Sequence, residues 1–117
     1  MTTKSFKQLT VWQKARDLAV LIYKITESFP KSELYGLTNQ MRRAVVSISS
    51  NIAEGYNRFH SKEKQQFLAI AFGSGSELES QIEIAKALFA NTDYKEVENL
   101  LVEVMKMLNA FLFKKQF

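Results

Sequence analysis

The sequence predicts an all-α protein: an antiparallel up-down-up-down four-helix bundle forming a single domain over residues 1–117 and assembling into a homo-oligomer. Three observations carry that expectation. Apolar residues recur in steps of three and four along nearly the whole chain, which is the pattern of helices with one buried face. With 4 Gly and 1 Pro, the chain lacks the turns that a sandwich or barrel needs every 8–12 residues or so. A hydrophobic content of 46% is enough to fill a core, and 117 residues leave room for only one.

In the first helix Val11, Ala15, Leu18, Ile22, Ile25 and Phe29 form one stripe. Thr10 and Gln13 stand at the spacing of a capping box, and Pro30 ends the helix by pushing its predecessor out of the α region. After a turn over residues 31–36, Leu37, Met41, Ala44, Val45, Ile48 and Ile52 repeat the pattern as far as Gly55. The opposite ladder, Asn39, Arg43, Ser47, Ser50 and Glu54, is polar and nearly free of bulk. Following a loop over residues 56–60, Ser61 is an expected N-cap, with Glu63 favourably placed in the first turn.

The third helix, the longest, reads Phe67, Ala71, Ser74, Leu78, Gln81 or Ile82, Ala85, and Leu88 or Phe89. Gly73 and Gly75 lie inside it, at about 1 kcal/mol each relative to Ala. Either they admit a neighbouring backbone or they mark a kink; the small Ala69, Ala71, Ser74 and Ser76 around them favour close approach. Asn91 to Asp93 form the next break, and Asp93 with Glu96 repeats the capping-box spacing. The fourth helix follows with Val97, Leu101, Val104, Leu108 and Phe111. Its apolar arc, from Met107 through Leu100, Val104, Leu101 and Leu112 to Met105, spans roughly 160°, where about 100° suffices for a surface helix. Val102 and Phe113 lie outside even that arc. Such an excess predicts self-association.

Several function classes are poorly supported. Without cysteine there is no disulfide, thiolate metal site or Cys nucleophile. The one histidine, His60, falls in a loop, so neither a Glu-x-x-His di-iron pair nor a Ser-His-Asp triad with its Gly-x-Ser-x-Gly elbow can be assembled. Gly73-Ser74-Gly75-Ser76 lacks the Gly-Lys-Ser/Thr ending of a phosphate loop. Glu77, Glu79 and Glu83 read as a solvated face. The expectation is a protein with no enzymatic activity, metal or cofactor. A polar, basic start and the lack of any apolar run of about 18 residues lead to the further expectation of a soluble, cytoplasmic protein without a membrane partner.

Charge is the more informative feature. The net +4 and pI near 9.4 are unevenly spread. Residues 1–60 hold nine basic against four acidic groups, a net +5, whereas residues 61–117 hold seven against eight. Lys4, Lys7, Lys14, Arg16, Arg42, Arg43 and Arg58 are therefore the candidate phosphate contacts for RNA or DNA. Trp12 and Tyr56 have rings able to stack on bases, although at helix ends such rings more often cap a core.

Phe6-Lys7-Gln8-Leu9 with Val11-Trp12-Gln13-Lys14-Ala15, Phe29-Pro30 followed by Glu33-Leu34-Tyr35-Gly36-Leu37, Gln40-Met41-Arg42-Arg43-Ala44, and Ser47-Ile48 with Asn51-Ile52-Ala53-Glu54-Gly55 form a series. Together they resemble the 23S rRNA intervening-sequence protein family, also called the S23 ribosomal or four-helix-bundle protein family. The resemblance spans nearly the whole chain and implies a homopentameric ring of four-helix bundles with no enzymatic activity. A related branch comprises accessory proteins of diversity-generating retroelements, which bind nucleic acid and a reverse transcriptase. Arg42 and Arg43 match the family's paired basic positions, and Trp12, Asn51, Glu54 and Gly55 fall within its motifs. The physical reading of the last three is structural: Asn51 bonding a neighbouring backbone, Glu54 pairing with Arg42 or Arg43, and Gly55 ending the helix in the left-handed conformation. Two functions remain in view. One is an oligomeric bundle that binds RNA or DNA through helices 1 and 2; the other is a scaffold that docks an acidic or polymerase-like protein partner.

Overall fold

A computed structural model describes residues 5–114. Its helices are α1 (Thr10–Thr26), α2 (Leu37–Tyr56), α3 (Ser61–Leu88) and α4 (Lys95–Lys114), with short 3-10 turns at Phe6–Gln8 and Lys31–Glu33. No strand occurs among the described residues. At 1.5 Å per residue a helix of 28 residues is about 42 Å long, so α3 alone sets the 45 Å long axis of a body 22 Å across. Each helix packs on its sequence neighbours and α4 closes on α1, while the diagonal pairs do not meet. This is the antiparallel up-down-up-down bundle that the periodicity predicts.

The core is the predicted one on three helices. Val11, Ala15, Leu18 and Ile22 of α1, Met41, Ala44, Val45, Ile48 and Ile52 of α2, and Val97, Leu101, Val104 and Leu108 of α4 are all buried. On α3 the register differs slightly. Leu68, Ala71, Gly75, Leu78, Ile82 and Ala85 face the core, Phe67 is half-buried, and Leu88 is 60% exposed. Phe67 is drawn off the axis because it covers the crossing of α2 at Gly55. A Cβ on Gly55 would lie 3.1 Å from that of Phe67 and 3.3 Å from the Lys64 carbonyl. Gly55 therefore serves close approach, and α2 runs one residue past it to Tyr56; the expected left-handed helix end is corrected.

Helix ends depart from expectation in instructive ways. Thr10 does not cap α1; instead the Gln13 amide reaches back 2.9 Å to the Lys7 carbonyl and ties the preceding 3-10 turn to the helix. α1 stops at Thr26, before Phe29, where successive three-residue bonds (Glu27 to Lys24, Ser28 to Ile25, Phe29 to Thr26) tighten the winding and replace the α-helical ladder. Phe29 stays buried all the same, 4.7 Å from the ring of Phe89. Ser61 is the first helical residue of α3, and His60 takes the N-cap position without a side-chain hydrogen bond. Asp93 does cap α4, accepting from the Lys95 N–H at 3.0 Å. Beside it the Tyr94 hydroxyl is shared between the carbonyls of Ala85 at 3.1 Å and Phe89 at 2.9 Å, fastening the α3–α4 corner. Desolvation raises the Tyr94 phenol above its ordinary value, so its contribution is complete below about pH 10 and fades as pH rises beyond it.

The two α3 glycines separate. α3 is unbroken through both, so neither is a kink. Gly75 is buried against the Met105 thioether of α4, which occupies the space a Cβ would need, whereas a Cβ on Gly73 would meet nothing within 4 Å. Gly73→Ala should accordingly raise unfolding free energy by about 0.5–1 kcal/mol. Gly75→Ala should gain less or lose stability, because Met105 must swing aside. Urea denaturation of the two variants checks this, and equal stabilisation by both would contradict it.

Candidate nucleic-acid interface

The expected phosphate contacts do not form one surface. Lys14 reaches across to α4 and pairs with Glu103 at 3.2 Å. Arg16 pairs with Asp17 at 3.0 Å and lies over the Trp12 ring at 5.5 Å. Trp12 is itself half-buried and meets Phe6 edge-on at 5.1 Å, so it caps this part of the core.

Arg42 clamps α2 to α1. Its Nε donates to Thr26 Oγ1 at 3.0 Å, and its guanidinium lies 4.6 Å from the centre of the Tyr23 ring. Arg43, about 100° further round α2, is exposed and makes no ion pair or hydrogen bond among the described residues. Glu54 pairs with neither arginine. They precede it by eleven and twelve residues, some 17 Å along the axis, and its partner is Arg58, one turn on, at 2.8 Å. Asn51 behaves as expected, donating to the Ser47 carbonyl at 2.8 Å and to its hydroxyl at 3.0 Å. Lys4 lies outside the described residues.

The bundle geometry gathers a different set. Because neighbouring helices run antiparallel, the start of α1, the end of α2, the start of α3 and the end of α4 share one end of the long axis. Lys64 Nζ, 2.9 Å from the Tyr56 carbonyl, and the Gln65 amide, 3.2 Å from that of Phe111, hold the last three together. The 3-10 turn at Phe6–Gln8 packs on α2. This end carries Lys7, Arg58, Lys62 and Lys64, with His60, against Glu54 and Glu63. The other carries Lys24, Lys31, Lys86 and Lys95 against Glu27, Glu33, Asp93, Glu96 and Glu98. Lys7 and Lys62 are exposed, and their ammonium groups make no ion pair among the described residues.

The segment joining α2 to α3 at this end also carries an exposed aromatic ring. Phe59 is 96% exposed, giving up the roughly 1.5–3 kcal/mol that burial of its ring would contribute. It fits none of the apolar stripes and sits between Arg58 and His60; that isolation was its only signal in the sequence.

Residues 7–110 match the family model described as 23S rRNA-intervening sequence protein. The chain belongs to this family. Among solved structures, a protein of unknown function from the S23 ribosomal protein family of Bacteroides thetaiotaomicron is similar, with 24% identity over 88% of this chain and 98% of that one and a TM-score of 0.77. At that identity the likeness speaks for the fold alone. No curated protein matches. The family's motifs read structurally in this chain: Trp12 and Gly55 pack, Asn51 ties down α2, and Arg42 joins α2 to α1.

Arg42 and Arg43 should therefore part company in stability. Arg42→Ala should cost about 1 kcal/mol through the lost hydrogen bond and ring contact, and Arg43→Ala less than about 0.5 kcal/mol. Thermal unfolding of both variants decides it, with the reverse order as the contrary result.

Proposed function

We propose that this protein is a non-enzymatic, homo-oligomeric four-helix bundle that binds RNA or DNA through phosphate contacts at the basic end of its long axis. The observation that carries this reading is the polarity of the bundle. Cations outnumber carboxylates at the end bearing Lys7 and Lys62, and those two are left free among the described residues. The family's description in terms of a 23S rRNA intervening sequence points to the same chemistry. Arg43 is the remaining free cation on α2, and Arg58 adds charge to the basic end while held by Glu54.

Assembly multiplies these charges and is the second half of the reading, with the pentamer that the family resemblance implies as its expected form. Its support is apolar surface on the outer faces. Ile70, Ile84 and Leu88 are each about half exposed or more and fall within about 40° of one another on α3. Val102 and Phe113 of α4 remain 50% and 75% exposed.

Filter binding of a structured RNA at 50 and 200 mM salt tests the function. Two phosphate contacts per bound unit should weaken affinity about tenfold between those salts, and the Lys7→Glu/Lys62→Glu double variant should bind far more weakly at both. No binding by the native chain at micromolar concentration, or an unaffected double variant, would sink the reading. The same preparation should sediment at a multiple of 13.5 kDa; a monomer at tens of micromolar would remove its oligomeric half.

A further inference from the structure

We propose that Phe59 is a nucleobase-stacking residue, so that the basic end of the bundle takes unpaired stretches of RNA or DNA in preference to duplex. The inference deepens the nucleic-acid reading above and rests on it. Every base offers a flat face to an aromatic ring, but in a duplex those faces are already covered by their neighbours. A ring standing clear of the protein surface therefore selects strands whose bases are free.

Phe59 meets the requirements of such a platform. Its ring is almost wholly in solvent, yet the segment that carries it is short and tied at both ends. On the α2 side Arg58 is held by Glu54 at 2.8 Å and lies 4.6 Å from the Phe67 ring centre. On the α3 side Lys64 Nζ closes on the Tyr56 carbonyl at 2.9 Å. A ring mounted in this way is presented before the ligand arrives, and less order is lost on binding.

Its surroundings choose the ligand. Asn57, Arg58, His60 and Ser61, its neighbours along the chain, are all polar, so the ring does not continue the apolar stripe of α2 or of α3. Lys62, exposed and three residues away, adds a cation to the same short segment for the backbone of a stacked strand. The opposite end of the bundle provides a built-in comparison. Tyr35 there is 91% exposed, but at that end the carboxylates of Glu27, Glu33, Asp93, Glu96 and Glu98 outnumber the lysines, which disfavours a nucleic-acid backbone.

Fluorescence anisotropy with an unstructured single-stranded RNA and a duplex of equal length, at one fixed salt concentration, tests the proposal. Phe59→Ala should weaken single-strand binding by about five- to a hundredfold and duplex binding less than twofold. Phe59→Trp should retain single-strand affinity, and Tyr35→Ala should change neither. Equal losses for both RNAs, or none for either, would overturn the stacking role while leaving the nucleic-acid reading in place. A native chain that binds neither RNA would overturn both. Binding of the native chain, lost in Phe59→Ala, to anionic phospholipid vesicles and not to single-stranded RNA would assign the ring to a membrane surface instead.

Discussion

The close packing of α2 against α3 is the constraint on which the rest of the structure depends. It is made possible by small residues: Ala44, Ser47 and Gly55 on one helix, and Ala71 and Ser74 on the other. Ser47 and Ser74 meet hydroxyl to hydroxyl at 2.8 Å, a distance that larger side chains at these positions would prevent. Asn51 then satisfies the Ser47 carbonyl and hydroxyl from within α2, so the polar groups brought into the interface are not left unpaired. The α2–α3 pair shares the most extensive helix contact in the bundle.

From that hairpin follows the placement of charge. Once α2 and α3 are locked side by side, their connecting segment is a fixed tip, and α1 and α4 can cover the remaining apolar faces only by running antiparallel beside them. The start of α1, the α2–α3 tip and the end of α4 are thereby collected at one pole. The resulting polarity along the bundle axis is not the separation visible along the sequence: Lys62 and Lys64 follow residue 60 yet join Lys7 and Arg58 at this pole, while Lys24 and Lys31 fall at the other. Meanwhile Lys14, Arg16 and Arg42, which look free in sequence, are drawn into ion pairs or onto aromatic rings on the flanks, and Arg58 is held by Glu54 at the pole.

Much of this was legible beforehand, for a definite reason. Periodicity reports which face of a helix is buried, so the stripes of α1, α2 and α4 and the bundle topology follow from it directly. Family resemblance agreed with them and with the family model. Pairings along one helix were less legible: assigning Glu54 to Arg42 or Arg43 overlooked some 17 Å of axial distance, and Arg58 one turn away was the partner that fitted. Caps failed where another group reached the free backbone first, as Gln13 did at Lys7. Gly73 and Gly75 look alike in sequence because only the neighbouring helix distinguishes an open position from one filled by Met105. Phe59 escaped notice because a search for stripes discards the residue that belongs to none.

The central claim is that nucleic acid meets this protein at the basic pole and not along the flank of α1 and α2. Ultraviolet cross-linking of a bound single-stranded RNA, followed by peptide mapping of the adducts, measures this most directly. Adducts should concentrate in the segment 57–64 around Phe59, with the start of the chain near Lys7 as the next most labelled region. Adducts confined to the flank where Tyr23, Arg42 and Arg43 lie together would contradict the account.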